Sequence, residues 1–133
     1  MKIRRFGDPI LFKDKVQDFL IKNEAENNLP LGIINGLIIR EYHAREPYMA
    51  YVEEGGSPLN VILCTPPHQS IFSYMDFLPT DKILRLSLKD MIDFLGEKFV
   101  GISANKKLAA RLKGIYEGMT AEKVEQHTAM RIY

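Results

Sequence analysis

With 133 residues, 46% of them hydrophobic and 26% charged, the chain has the composition of one folded domain able to bury about two-thirds of its unfolded surface without disulfides or structural metals. Eighteen basic against seventeen acidic residues leave a formal charge of +1, which gives no electrostatic reason to expect a nucleic acid or an acidic membrane as partner. The single cysteine, Cys64, excludes an intramolecular disulfide, and Met1 to Arg5 lead into no apolar run of the kind a signal peptide needs, so the expected compartment is the cytoplasm.

The first predicted element is an amphipathic helix. Asp8 can accept from the free N–H groups of a helix start, Pro9 suits the first helical position, and Phe12, Val16, Phe19 and Leu20 then recur on one face up to about Asn23. A second helix is predicted from Pro30 to Tyr42, with Asn28 as its cap. It is apolar nearly all round, which predicts a place in the core, and its run Leu29 to Ile39 falls well short of the ~20 residues that span a bilayer. Gly32 and Gly36, four apart, would let another backbone come close.

A strand block follows. Tyr48 to Glu53 and Pro58 to Cys64 flank Glu54-Gly-Gly-Ser57, a hairpin signal because glycine adopts positive φ without strain. Thr65-Pro-Pro-His68 breaks the pattern, and Ser70 to Met75 is predicted to complete a three-stranded antiparallel meander. Beyond it, Leu84, Leu88, Met91, Ile92 and Leu95 mark one face of a helix starting near Thr80 and closed by Gly96. Phe99 to Ile102 is predicted as a strand. Ser103 then caps a helix in which Leu108, Leu112, Ile115 and Tyr116 share a face up to Gly118, and Val124 to Tyr133 forms the last strand. No repeat or linker interrupts this order.

The segment after the meander, Phe77-Leu-Pro-Thr-Asp-Lys-Ile83, has no glycine, whereas a strand-to-helix turn that cradles a pyrophosphate uses glycines to close its backbone N–H groups on the anion. His68, at a loop after two prolines, can face a cleft as acid, base or hydrogen-bond donor, or be a surface histidine; Thr65 shares that loop, and these two with Glu24 and Asn27 are the candidate cleft residues. Glu24 and Glu26, in the run Glu24-Ala-Glu-Asn27-Asn28, can divide acid and base duties, or can cap the helices and line the open end of the sheet. Glu53 and Glu54 read as solvated turn carboxylates. Cys64 reads as a small buried hydrophobe, and His43, His68 and His127 are too scattered for a zinc site, so no metal is expected. Lys106, Lys107, Arg111 and Lys113 make one side of the last helix basic: a solvated face, or one that meets phosphates.

The element order of helix, helix, three-strand meander, helix, strand, helix, strand resembles the GNAT acetyltransferase fold, a mixed α/β sheet with helices on both faces. Glu24-Ala-Glu-Asn-Asn-Leu-Pro-Leu-Gly32, Pro47-Tyr48, the Glu53-Glu-Gly-Gly56 turn, Thr65-Pro-Pro-His68 and the closing Met130-Arg-Ile-Tyr133 look like the N-terminal half of two-part GNAT proteins from bacilli and related bacteria. The resemblance covers essentially the whole chain. It implies a degenerate GNAT unit over residues 1–133, either a piece of a longer acetyltransferase or a free-standing relative. Acetyl-CoA is then expected for the complete enzyme, held by the C-terminal half.

The family's cofactor loop, Arg/Gln-x-x-Gly-x-Gly/Ala, has no match at Asp76 to Lys82, so no cofactor-binding residue is carried over. The resemblance also implies a role for Tyr116, since GNAT enzymes often use a tyrosine of the corresponding helix to protonate the departing CoA thiolate. The family pattern there, Asn-x-x-Ala-x-x-Leu-Tyr then Gly-Phe, is matched loosely by Asn105, Ala109, Tyr116 and Gly118, with stretched spacing and Met119 in place of phenylalanine. The alternative for Tyr116 is completing the apolar face of Leu108 and Leu112. The implied partner is the C-terminal acetyltransferase half or a second copy of the chain. The alternative function is a non-enzymatic ligand-binding or interaction module.

Overall fold

The computed structural model describes residues 1–40, 46–120 and 130–132. Six strands form one mixed sheet in the order β1-β2-β3-β4-β5-β6: Lys2–Arg5, Tyr48–Glu54, Ser57–Cys64, Ser70–Phe72, Ile102–Ala104 and Met130–Ile132. The first four pair antiparallel, and β5 and β6 then add in parallel, each by a crossover. Helices α1 (Pro9–Ile21), α2 (Asn28–Ile39), α3 (Asp81–Leu95) and α4 (Lys106–Thr120) supply the outer layers.

Strand alternation divides the core in two. Tyr48, Ala50, Ile62, Cys64 and Phe72 point to the face covered by α3 and α4, while Met49, Tyr51, Val61 and Leu63 meet Phe12, Val16, Leu20 and Ile34 of α1 and α2. The mixed α/β sheet with helices on both faces is therefore observed, and β2 and β3 are buried on both faces. Their hairpin turns where expected: Gly55 and Gly56 have φ of 61° and 83°, which an L side chain adopts only with strain. At Val52/Glu53 the register slips, and Asn60 takes the local backbone bond itself, its Oδ1 accepting from Val52 N–H at 3.0 Å. Asn60 Nδ2 donates to Ser87 Oγ, which donates to the Ile83 carbonyl, so a buried polar thread joins β3 to α3.

Helix ends follow local chemistry. Asp8 caps α1 through a bond from Ile10 N–H, Thr80 caps α3, and Gly96 at φ 52° ends α3.

Five sequence expectations need correction. The sheet begins with β1, which Lys-Ile-Arg-Arg did not announce: an edge strand needs only one inward apolar residue, here Ile3, and its cations stay in water. Strand β4 ends at Phe72, not Met75. Strand β5 lies three residues later than expected, so Ser103 is a buried strand residue and Asn105 caps α4, its Oδ1 accepting from Leu108 N–H at 3.0 Å. The N-cap of α2 is Asn27, with no side-chain cap bond, and Asn28 is already helical. Helix α2 is also not enclosed: only Pro30 and Ile34 are buried, and Ile39 is 81% exposed, because an uncharged helix over one sheet face still turns half its surface outward. The expected ends of α2 beyond Arg40, the residues of the last strand outside 130–132, and His43 and His127 lie outside the described residues.

Candidate functional site

Parallel strands joined by a crossover helix leave a crevice at their carboxyl ends where neighbouring strands part. Here β4 and β5 pair only through Ser70 with Ile102 and Ile71 with Ser103; Phe72 keeps its partner Ile62 on β3, and Ala104 keeps Ile132 on β6, but they do not pair with each other. The sheet thus opens beyond Ile71 and Ser103. This opening is bounded by the segment leaving β4 and by the start of α4, and it is the candidate site.

Three groups furnish its β4 side. Ser73 stays tied to β3, its N–H donating to Val61 O at 2.9 Å and its Oγ accepting from Val61 N–H at 3.2 Å. Tyr74 is held by Asn27 from the α1–α2 connection: Tyr74 N–H donates to Asn27 Oδ1 at 2.7 Å, and Asn27 Nδ2 donates to Tyr74 O at 3.0 Å and to Leu20 O at 3.2 Å. Asn27 is fully buried, so its amide is committed to these three backbone groups. At the start of α3, Thr80 Oγ1 accepts from Ile83 N–H at 3.4 Å, and Asp81 in the first turn pairs with Arg111 of α4. A helix start that welcomes phosphate presents unpaired N–H groups and no negative side chain; this one presents a side-chain cap and an aspartate.

The other sequence candidates lie elsewhere. Glu24 is exposed on the α1–α2 connection near Asn27. Thr65 and His68 sit on the β3–β4 turn at the amino end of β4, where His68 N–H donates to Thr65 O at 2.9 Å and the His68 ring is exposed. The four proposed cleft residues are therefore split between opposite ends of β4. Tyr116 lies toward the end of α4, half-buried, with its ring 5.9 Å from that of Phe99, which precedes β5; it too is away from the carboxyl-end opening, and it packs against the α3/α4 core.

At that amino end the structure assembles groups whose partners are distant in sequence. Tyr48 OH donates to Asp90 Oδ2 at 2.7 Å, Arg5 Nε lies 3.5 Å from the same oxygen, and the Arg5 guanidinium stacks over Phe94. Burial, then the bond to Asp90 and its charge, hold the Tyr48 phenol well above the ordinary tyrosine range, so it is a fixed donor and not a proton shuttle. On the neighbouring strand, burial pushes the Cys64 thiol up, opposed by the Ser70 hydroxyl, and its Sγ–H donates to the His68 carbonyl at 3.5 Å. Ser70 Oγ approaches the sulfur but has no hydrogen bond of good geometry. Neither Arg5 with Asp90 nor Ser70 gives a local sequence signal, since each is defined by a partner on another element.

Among the described residues no cluster of His, Cys, Asp and Glu is arranged to hold a metal ion, and no helix is long and apolar enough to cross a membrane. Comparison with family models, with curated proteins and with solved structures returns no match.

Proposed function

We propose that this chain is a GNAT-like domain that supports acetyl transfer from acetyl-CoA to an amine by packing against a catalytic half or a second copy, without itself cradling the cofactor's phosphates. The observation that carries the reading is the parting of β4 and β5 after four antiparallel strands, beside the β4–α3 segment where the resemblance would have its cofactor loop. The division of labour rests on what lines that opening: glycine is missing from the β4–α3 segment, Tyr74's backbone is bound to Asn27, and the start of α3 is capped by Thr80 beside Asp81. An anionic pyrophosphate there would meet the Asp81–Arg111 pair, and the Tyr74 and Ile83 N–H groups are already taken. The domain's contribution is then a wall of the acceptor pocket, formed by the α1–α2 connection, which carries exposed Glu24 and is fastened by buried Asn27.

The test is release of CoA thiol from acetyl-CoA over a panel of primary amines. The chain by itself is expected to give no rate above the uncatalysed one. Turnover that falls in Tyr116→Phe or His68→Ala would instead make this chain the catalyst.

A further inference from the structure

The outer surfaces of the two helical layers differ in charge. Residues 8–39, which carry α1 and α2, hold three lysines against five acids, whereas residues 81–120, which carry α3 and α4, hold eight lysines and arginines against five acids. On α3 the excess is ordered: Lys82, Arg85 and Lys89 stand at i, i+3 and i+7, all exposed along one stripe.

Arg85 and Lys89 line a groove of about 550 Å³ between α3 and the last turn of α4, floored by Ile92 and Met119. Arg85 has no acidic partner among the described residues. Among the described residues Lys89 pairs with Asp93 alone, one turn on, at 3.2 Å, and with both side chains about two-thirds exposed this pair yields readily to a competing carboxylate. Ile92 and Met119 are half-buried, and a methionine adapts its shape to what covers it. None of the lining residues is fully buried, so the groove is an open trough and not the enclosed cavity that a small ligand needs to lose most of its surface.

We propose that this trough is a docking site for an acidic, amphipathic segment of a partner protein. Apolar side chains of the segment lie on Ile92 and Met119, and its carboxylates meet Arg85 and Lys89, the helix-in-groove mode with an electrostatic rim. Asp93 within the trough disfavours a polyphosphate or nucleic acid, whose charge is continuous. The inference stands apart from the acetyl-transfer reading, because it uses neither the sheet opening nor the cofactor.

Fluorescence anisotropy tests it with a labelled helical peptide carrying leucines along one face and glutamates on its flanks. Saturable binding is expected, weakened by added salt and about tenfold weaker for Arg85→Glu/Lys89→Glu, with Lys13→Glu/Lys15→Glu on α1 leaving it unchanged. Arg85 and Lys89 are exposed, and an unaltered thermal melt by circular dichroism verifies that the double variant is folded. Equal binding of a lysine-for-glutamate peptide, no loss in the folded double variant, or tighter binding of a single-stranded oligonucleotide would overturn the proposal.

Discussion

Asn27 and Tyr74, forty-seven residues apart, are joined by two hydrogen bonds, so one buried side-chain amide pairs with a backbone peptide much as a neighbouring strand would. The α1–α2 connection is thereby fastened to the segment that leaves β4. Asn27→Ala strands the N–H and carbonyl of Tyr74, while the Leu20 carbonyl keeps the Asn23 N–H, and each buried orphan costs ~1–3 kcal/mol, less where water reaches it. A loss of about 2–4 kcal/mol in urea denaturation is expected. Asn28→Ala, at an exposed neighbour, should stay within about 0.5 kcal/mol; equal effects of the two changes would mean that the amide is not the fastening.

The thread from Val52 through Asn60 to Ser87 makes a second expectation. Asn60→Ala leaves Val52 N–H without its acceptor beside the register slip and should cost about 2–3 kcal/mol, whereas Ser87→Ala removes the bonds to Asn60 and to the Ile83 carbonyl and should cost about 1–2 kcal/mol. A double-mutant cycle should show the two coupled by at least about 0.5 kcal/mol. Strict additivity would count against a shared network.

Tyr48 sets the alkaline limit. Its folded pKa is raised by burial and by Asp90, so the neutral phenol is the native form. The associated stability is fully present below the unfolded tyrosine value of about 10 and falls as the pH rises beyond it, because only the unfolded chain readily releases the proton. Burial raises Tyr51 in the same sense and adds to this fall. Tyr48→Phe should be less stable at neutral pH yet lose stability less steeply above about pH 10. Urea midpoints measured across that range decide it, and an unchanged alkaline slope would contradict the assignment.

Cys64 is 1% exposed, and burial holds its thiol protonated. Ellman's reagent should therefore react with the native protein far more slowly than with the guanidinium-unfolded chain. Native reactivity equal to that of the unfolded thiol would show that the β3–β4 end is open.

The elements written by local chemistry were legible in sequence. Asp8 and Thr80 cap the helices they begin, Gly55 and Gly56 turn the β2–β3 hairpin, and the apolar faces of α1, α3 and α4 follow their 3.6-residue spacing. Edge strand β1 was not, because one apolar residue among three cations has no period. Three-residue β5 was misplaced for a related reason: Phe99, the most apolar residue nearby, packs on Tyr116 outside the strand. The absence of charge in α2 suggests full burial, but on a sheet surface it shows only that one side is covered. At the candidate site, Asn27 stood out in a polar run between apolar helices, but its partner Tyr74 had no signal of its own. Thr65 and His68 looked suited to the same cleft, and only the strand directions place them at the other end of β4.

In the proposed function this chain shapes an acetyl-transfer site without holding the cofactor. Calorimetric titration with acetyl-CoA tests it most directly. No saturable heat is expected, since the β4–α3 segment offers a capped helix start and Asp81 where phosphates would have to sit. Stoichiometric binding with micromolar affinity, lost in a Thr80 or Asn27 variant that remains folded, would contradict it by placing the cofactor on this chain.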